Sequence, residues 1–122
     1  MKKYEVIISD HADEDLREIY EYIAFELCSP GNAIGQLERI EKAICKLETS
    51  PEKHRIYEEE PWRDYNLRVL PVDNYCIFYI PDNDTLKVTV IRVIYEGRDI
   101  KTQLNVFTNE VIRPENNPGD QG

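Results

Sequence analysis

Between Asn66 and Tyr95 the chain carries three apolar runs, and the middle one constrains the fold most. Along Tyr75–Ile80, Tyr75, Ile77 and Tyr79 alternate with Cys76, Phe78 and Ile80, so both faces are apolar. A strand of that kind belongs in the interior of a sheet, with a cover on each side. Asn66–Val72 precedes it, and Pro71 near the end of that run favours an edge or a bulge. Leu86–Tyr95 follows it. Pro81-Asp82-Asn83-Asp84 supplies the turn chemistry between the last two runs. Short apolar runs punctuated by turn residues read as an antiparallel meander.

The covers come from the first half of the chain. Tyr4–Ser9 is a further short β run, after which Ser9 or Asp10 can cap a helix whose first turn holds Asp13, Glu14 and Asp15. Ala12, Leu16, Ile19, Ile23 and Leu27 recur at helical spacing, as do Ala33, Leu37, Ile40, Ile44 and Leu47. Ser29-Pro30-Gly31-Asn32 separates the two stripes, so the helices should form an antiparallel hairpin. Glu52–Pro61 is charged and reads as a loop. The order is β-α-α-β-β-β, and the expected fold class is α+β: a two-layer arrangement with a helical hairpin packed on a small, mostly antiparallel sheet. Residues 1–104 form one domain. Residues 105–122 are a C-terminal extension whose last nine residues read as disordered, with Val106, Phe107, Val111 and Ile112 able to dock before them.

Composition excludes several classes of function. No apolar run approaches membrane-span length, and the apolar stretch of the N-terminus is too short for a signal peptide, so a cytoplasmic location is expected. Cys28, Cys45 and Cys76 are odd in number and widely spaced; they read as small buried apolar residues rather than a disulfide framework or metal site. Neither His11 nor His54 has a partner at metal-ligand spacing. The net charge is −9, carried mostly by residues 1–50 with a balance of −5, whereas residues 61–104 balance to zero. An acidic chain repels nucleic acid at long range, so any arginine that acts at a site does so without help from the global field.

Three groups of residues, in this order, resemble the RelE/ParE toxins of bacterial type II toxin–antitoxin modules over about residues 3–104. The first is Tyr4-x-Val6-x-Ile8-Ser9-x-x-Ala12-x-x-Asp15-Leu16-x-x-Ile19-x-x-Tyr22-Ile23. The second is the end of the second helix, Leu47-x-x-x-Pro51. The third is Arg68-x-Leu70-x-Val72-x-x-Tyr75-x-Ile77-x-Tyr79 with Val90-x-Arg92-Val93-x-Tyr95-x-x-Arg98-Asp99. The resemblance implies a growth inhibitor of the plasmid-stabilisation type, neutralised by a cognate antitoxin protein that wraps around it. It implies no cofactor, no metal and no membrane.

The family divides by target. RelE-like members cut mRNA on the ribosome, and ParE-like members poison DNA gyrase. RNA cleavage by attack of the 2′-hydroxyl needs a base, a cation for the crowded phosphate and an acid for the leaving oxygen. The RNA-cutting members resemble one another in a basic residue after the tyrosine of the third strand, where this chain has Cys76. The resemblance leaves Arg68, Tyr95 and Arg98 as the residues for target contact or catalysis. It fits the gyrase-directed side better, with a ribosome-dependent mRNA endonuclease or a degenerate non-toxic relative as alternatives. Each residue also has a plainer reading. Arg68 suits an ion pair with Asp64, Asp73 or Glu96. Tyr95 suits an aromatic lid over the core edge. Arg92, in mid-strand, reads as an arginine snorkelling from a sheet face.

Overall fold

The computed structural model describes residues 3–104. Strand β1 (Glu5–Ile8) is followed by helix α1 (Asp10–Glu21), a π-helical turn (Tyr22–Glu26), helix α2 (Pro30–Cys45) and strands β2 (Arg68–Val72), β3 (Tyr75–Asp82) and β4 (Lys87–Tyr95). Residues 100–104 are helical. The expected α+β fold is observed, with the helical hairpin on one face of a four-stranded sheet. The expected disorder at the C-terminus and the docking of Val106, Phe107, Val111 and Ile112 lie outside the described residues.

The sheet order is β1-β4-β3-β2. β3 pairs antiparallel with both β2 and β4, as the turn residues between them require, while β1 pairs parallel with β4 across the whole domain. Alternation along β3 sorts the core into two. Tyr75, Ile77 and Tyr79 face the helices and meet Ala12, Ile40, Ile44 and Leu47. Cys76 and Phe78 face the other way, toward Trp62, Leu67 and Leu104. The second cover is therefore the segment before β2 together with the helix at 100–104. A bulge between Phe78 and Tyr79 places Phe78 opposite Arg92 and Tyr79 opposite Val90. The extra residue, Ile91, packs into the second core.

Two sequence expectations are corrected. Leu27 does not continue the buried stripe of α1; it is exposed. The π turn is the reason: the Leu27 N–H donates to the Tyr22 carbonyl five residues back, one more than in an α-helix. That extra residue rotates the chain beyond it, so Ala24 is buried while Phe25 and Leu27 point outward. The cysteines also divide. Cys76 is buried as expected, but Cys28 and Cys45 are exposed, one at the hairpin tip and one at the last residue of α2.

Candidate functional site

The hairpin tip and the exit of β4 diverge, and between them lies a groove of about 800 Å³. Its helical wall carries Glu18, Ile19, Tyr22 and Leu27; Gln36 and Arg39 close it from α2. Tyr75, Val93 and Tyr95 come from the sheet, and Arg98 follows the exit of β4.

Asp15 and Arg92 hold this end of the molecule together. Arg92 donates from Nε to Asp15 Oδ2 at 2.7 Å and from Nη2 to Oδ1 at 3.0 Å, a bidentate pair. The Val93 N–H donates to Asp15 Oδ2 at 2.9 Å. Arg92 Nη1 also donates to the Gln103 carbonyl at 3.1 Å. The geometry has a clear cause. β1 stops pairing at Ile8 opposite Val90, which leaves the rest of that edge of β4 without a strand. Ser9 takes over first, with its N–H donating to the Val90 carbonyl and its hydroxyl to the Ile91 carbonyl, both at 3.0 Å. Asp15 takes over next at Val93. One carboxylate thus satisfies a strand amide and a half-buried guanidinium. Arg92 is a half-buried ion-pair partner, not a snorkelling arginine.

Sequence reasoning missed Asp15, having read it as a first-turn acid favoured by the helix dipole. The available signal was position. Asp15 lies three residues after Ala12 and four before Ile19, inside the apolar stripe, where an unpaired carboxylate is costly.

Tyr95 and Arg98 come together at the groove; Arg68 does not join them. Tyr95 is 48% exposed, and its ring meets Tyr75 edge-on at 5.7 Å between centroids. Burial, then the neighbouring Tyr95 and Tyr22, push the Tyr75 phenol up from its ordinary value. A Cβ at Gly97 would collide with the Tyr95 ring, so the absent side chain lets that ring lie where it does. The Arg98 N–H donates to the Tyr95 carbonyl, and its guanidinium has no partner among the described residues. Arg39 is occupied: it donates to Asp73 Oδ2 at 2.7 Å, and Gln36 donates to the same oxygen at 2.9 Å. These bonds hold the Asp73 carboxyl below the usual carboxylate range.

Arg68 lies at the far end of β2, opposite Tyr79. Its Nη1 donates to the Glu52 carbonyl at 3.0 Å and the His54 carbonyl at 2.8 Å, and Nη2 donates to Asn66 Oδ1 at 3.2 Å. The guanidinium therefore ties the loop after Pro51 to the sheet edge, through carbonyls rather than the carboxylates considered from sequence. Tyr79 reinforces the tie by donating to the Pro51 carbonyl at 2.6 Å. Burial pushes the Tyr79 phenol up to about 12. Cys76 points into the second core. Burial, then Glu96, raises its thiol pKa.

Chemically, the groove offers an apolar rim, two accessible phenols (Tyr22 and Tyr95) and, among the described residues, one guanidinium without a partner, that of Arg98. Among the described residues no three histidine, cysteine or acidic side chains gather as a metal site would require. Among the same residues, no helix is long and apolar enough to cross a membrane.

A helical hairpin on a mixed four-stranded sheet is a fold shared with solved structures of toxin–antitoxin systems. The ParDE system of P. aeruginosa matches with a TM-score of 0.63 at 16% identity, over 76% of this chain and 96% of that one. A mutant of the E. coli toxin RelE in the free state matches at 0.60 and 14% identity, over 90% and 99%. The archaeal RelE–RelB complex from Pyrococcus horikoshii OT3 matches at 0.55 and 17%, over 79% and 98%. At such identities the likeness is one of fold. No curated protein matches the sequence. The family model for the ParE toxin of the type II toxin–antitoxin system parDE matches residues 6–100, and the chain belongs to that family.

Proposed function

We propose that the protein inhibits growth by binding DNA gyrase, that Tyr95 and Arg98 make the decisive contact, and that a cognate antitoxin neutralises it. Arg68 then acts indirectly, by holding the loop after Pro51. The observation that carries this reading is the assignment of the cations. Cleaving RNA requires several charged groups converging on one phosphate. Here Arg92 is bound to Asp15, Arg39 to Asp73 and Arg68 to loop carbonyls, while Cys76 faces the opposite core. Of the groove's described residues, Arg98 and Tyr95 remain, a pair better suited to gripping a protein surface, where arginine and tyrosine dominate binding energy. The antitoxin reading is supported by the exposed Tyr22, Phe25 and Leu27 at the hairpin tip, beside the groove.

One observation favours the rival reading, a ribosome-dependent mRNA endonuclease: Tyr95 and Arg98 stand together, as an acid and a phosphate clamp would. Two assays with purified protein separate the readings. Loss of supercoiling by gyrase with mRNA left intact in a translation extract supports the gyrase target. Cleavage of mRNA at the ribosomal A site, abolished by Arg98→Ala, overturns it. Inertness in both, with no growth arrest on expression, identifies a family member that has lost toxicity.

A further inference from the structure

The groove is charged unequally along its two sides. Of the charged side chains that line it, Asp15 is bound to Arg92, and Arg39 is bound to Asp73. Glu18 on the α1 wall and Arg98 beyond β4 are both exposed, and among the described residues neither side chain has a partner. They do not pair with each other. Ile19, Tyr22, Tyr75 and Tyr95 supply apolar and aromatic surface to the same groove. Glu21 and Glu26, exposed and also without a side-chain partner among the described residues, extend the acidic side along the hairpin tip, next to the exposed Tyr22, Phe25 and Leu27. Over residues 10–45 nine acidic side chains stand against three basic ones, a balance of −6.

We propose that the groove selects its antitoxin by charge: the segment that occupies it is amphipathic, with Lys or Arg along the edge that meets Glu18 and Glu21, and Asp or Glu on the edge that meets Arg98. This rests on the antitoxin reading above and adds the chemistry of the partner. Apolar contact with Tyr22, Tyr75 and Tyr95 gives affinity but does not fix direction or register. Opposite charges on the two edges do, because a reversed segment would set like charges against each other. A second copy of this chain is a poor occupant, since its own hairpin would bring carboxylates to the Glu18–Glu21–Glu26 side. The arrangement also accounts for neutralisation. A partner carboxylate on Arg98 takes the residue assigned to the target, so antitoxin and target exclude one another.

The test titrates the protein encoded by the adjacent reading frame into the full chain by calorimetry. Glu18→Lys and Arg98→Glu should each weaken binding about tenfold or more, because each sets like charges together. Glu18→Ala, which only removes an exposed pair, should cost less than about fivefold. Glu41→Lys makes the same charge change at an exposed site of α2 outside the groove lining, and should leave affinity within about twofold. All these sites are exposed, so the free variants should keep Tm within about 3 °C of the wild type. An antitoxin variant carrying Glu in place of the opposing Lys or Arg should recover affinity for Glu18→Lys. The inference is overturned, and the antitoxin reading stands, if the wild type binds and either reversal at Glu18 or Arg98 leaves affinity within about twofold. It is also overturned if Glu41→Lys weakens binding as much as Glu18→Lys, since the effect would then be one of net charge. Absence of binding to the wild-type chain overturns the antitoxin reading and the inference together.

Discussion

Asp15 shows how one side chain can decide the shape of a site. Its carboxylate carries both the bidentate bond from Arg92 and the Val93 amide, at 9% residual exposure. Such a pair gives little net stability, yet removing one partner strands the other. Asp15→Ala should therefore cost about 3–5 kcal/mol in urea unfolding, and Asp15→Asn less, because the amide oxygen can still accept the Val93 N–H. Arg98→Ala is the opposite case: with an exposed and unpaired guanidinium, it should change stability by less than about 0.5 kcal/mol. Growth arrest, measured as colony survival after induction, should nonetheless fall at least tenfold. His54 adds a pH dependence. Burial, then Lys53 and Arg68, hold its pKa below the ordinary 6.5. Near that value the unfolded chain binds more protons than the folded one, so stability rises with pH. This contribution is fully present above the unfolded pKa and is lost as pH falls through 6.5 and then the lowered folded value. His54→Gln should flatten the difference in Tm between pH 7.5 and pH 5.5; an unchanged difference would show that the slope comes from other groups.

At the scale of elements, strands β2 to β4 and both helices were legible in the sequence because period-two and period-3.6 patterns report local burial. Features fixed by distant partners were not. The parallel pairing of β1 with β4 joins residues about eighty positions apart, and nothing local to Val6 or Ile8 specifies it. The π turn was hidden for a related reason: the stripe through Ile23 and Leu27 looks continuous until one extra residue rotates it. Of the candidate site, the place of Arg98 at a strand exit after Gly97 was legible, whereas Tyr95 was singled out by the family resemblance. Arg68 was not legible, since its occupation by the Glu52 and His54 carbonyls depends on where a loop folds back. The π turn also yields an experiment. It turns Phe25 and Leu27 outward, so Tyr22→Ala combined with Leu27→Ser should leave Tm within a few degrees while weakening antitoxin binding at least tenfold by calorimetry. Unchanged affinity would move the antitoxin away from the hairpin tip. Gly97→Ala tests the neighbouring element: its Cβ would force the Tyr95 ring from its place beside Tyr75, reducing toxicity in a protein that still folds.

For the molecule as a whole, charge separates the two target readings by the salt dependence each requires. The chain carries a net charge of −9, with the acidity concentrated in the half that supplies the hairpin. A protein that works on RNA by contacting phosphates loses affinity steeply as salt rises, because each contact releases counterions. Among the described residues, Arg98 is the one arginine without a partner at the groove, which Glu18 and the Asp15–Arg92 pair also line, and the chain's overall field opposes the approach of a polyanion. A protein partner gripped by the tyrosine rim should be far less sensitive, since apolar burial is not screened by salt. Inhibition of supercoiling should thus change by less than about threefold between 50 and 200 mM potassium salt, once the intrinsic response of gyrase is subtracted. Binding to a single-stranded RNA should be weak at both salt concentrations. A steep loss of inhibition with salt, accompanied by measurable RNA binding at 50 mM, would instead indicate that Arg98 meets a phosphate and would favour the endonuclease.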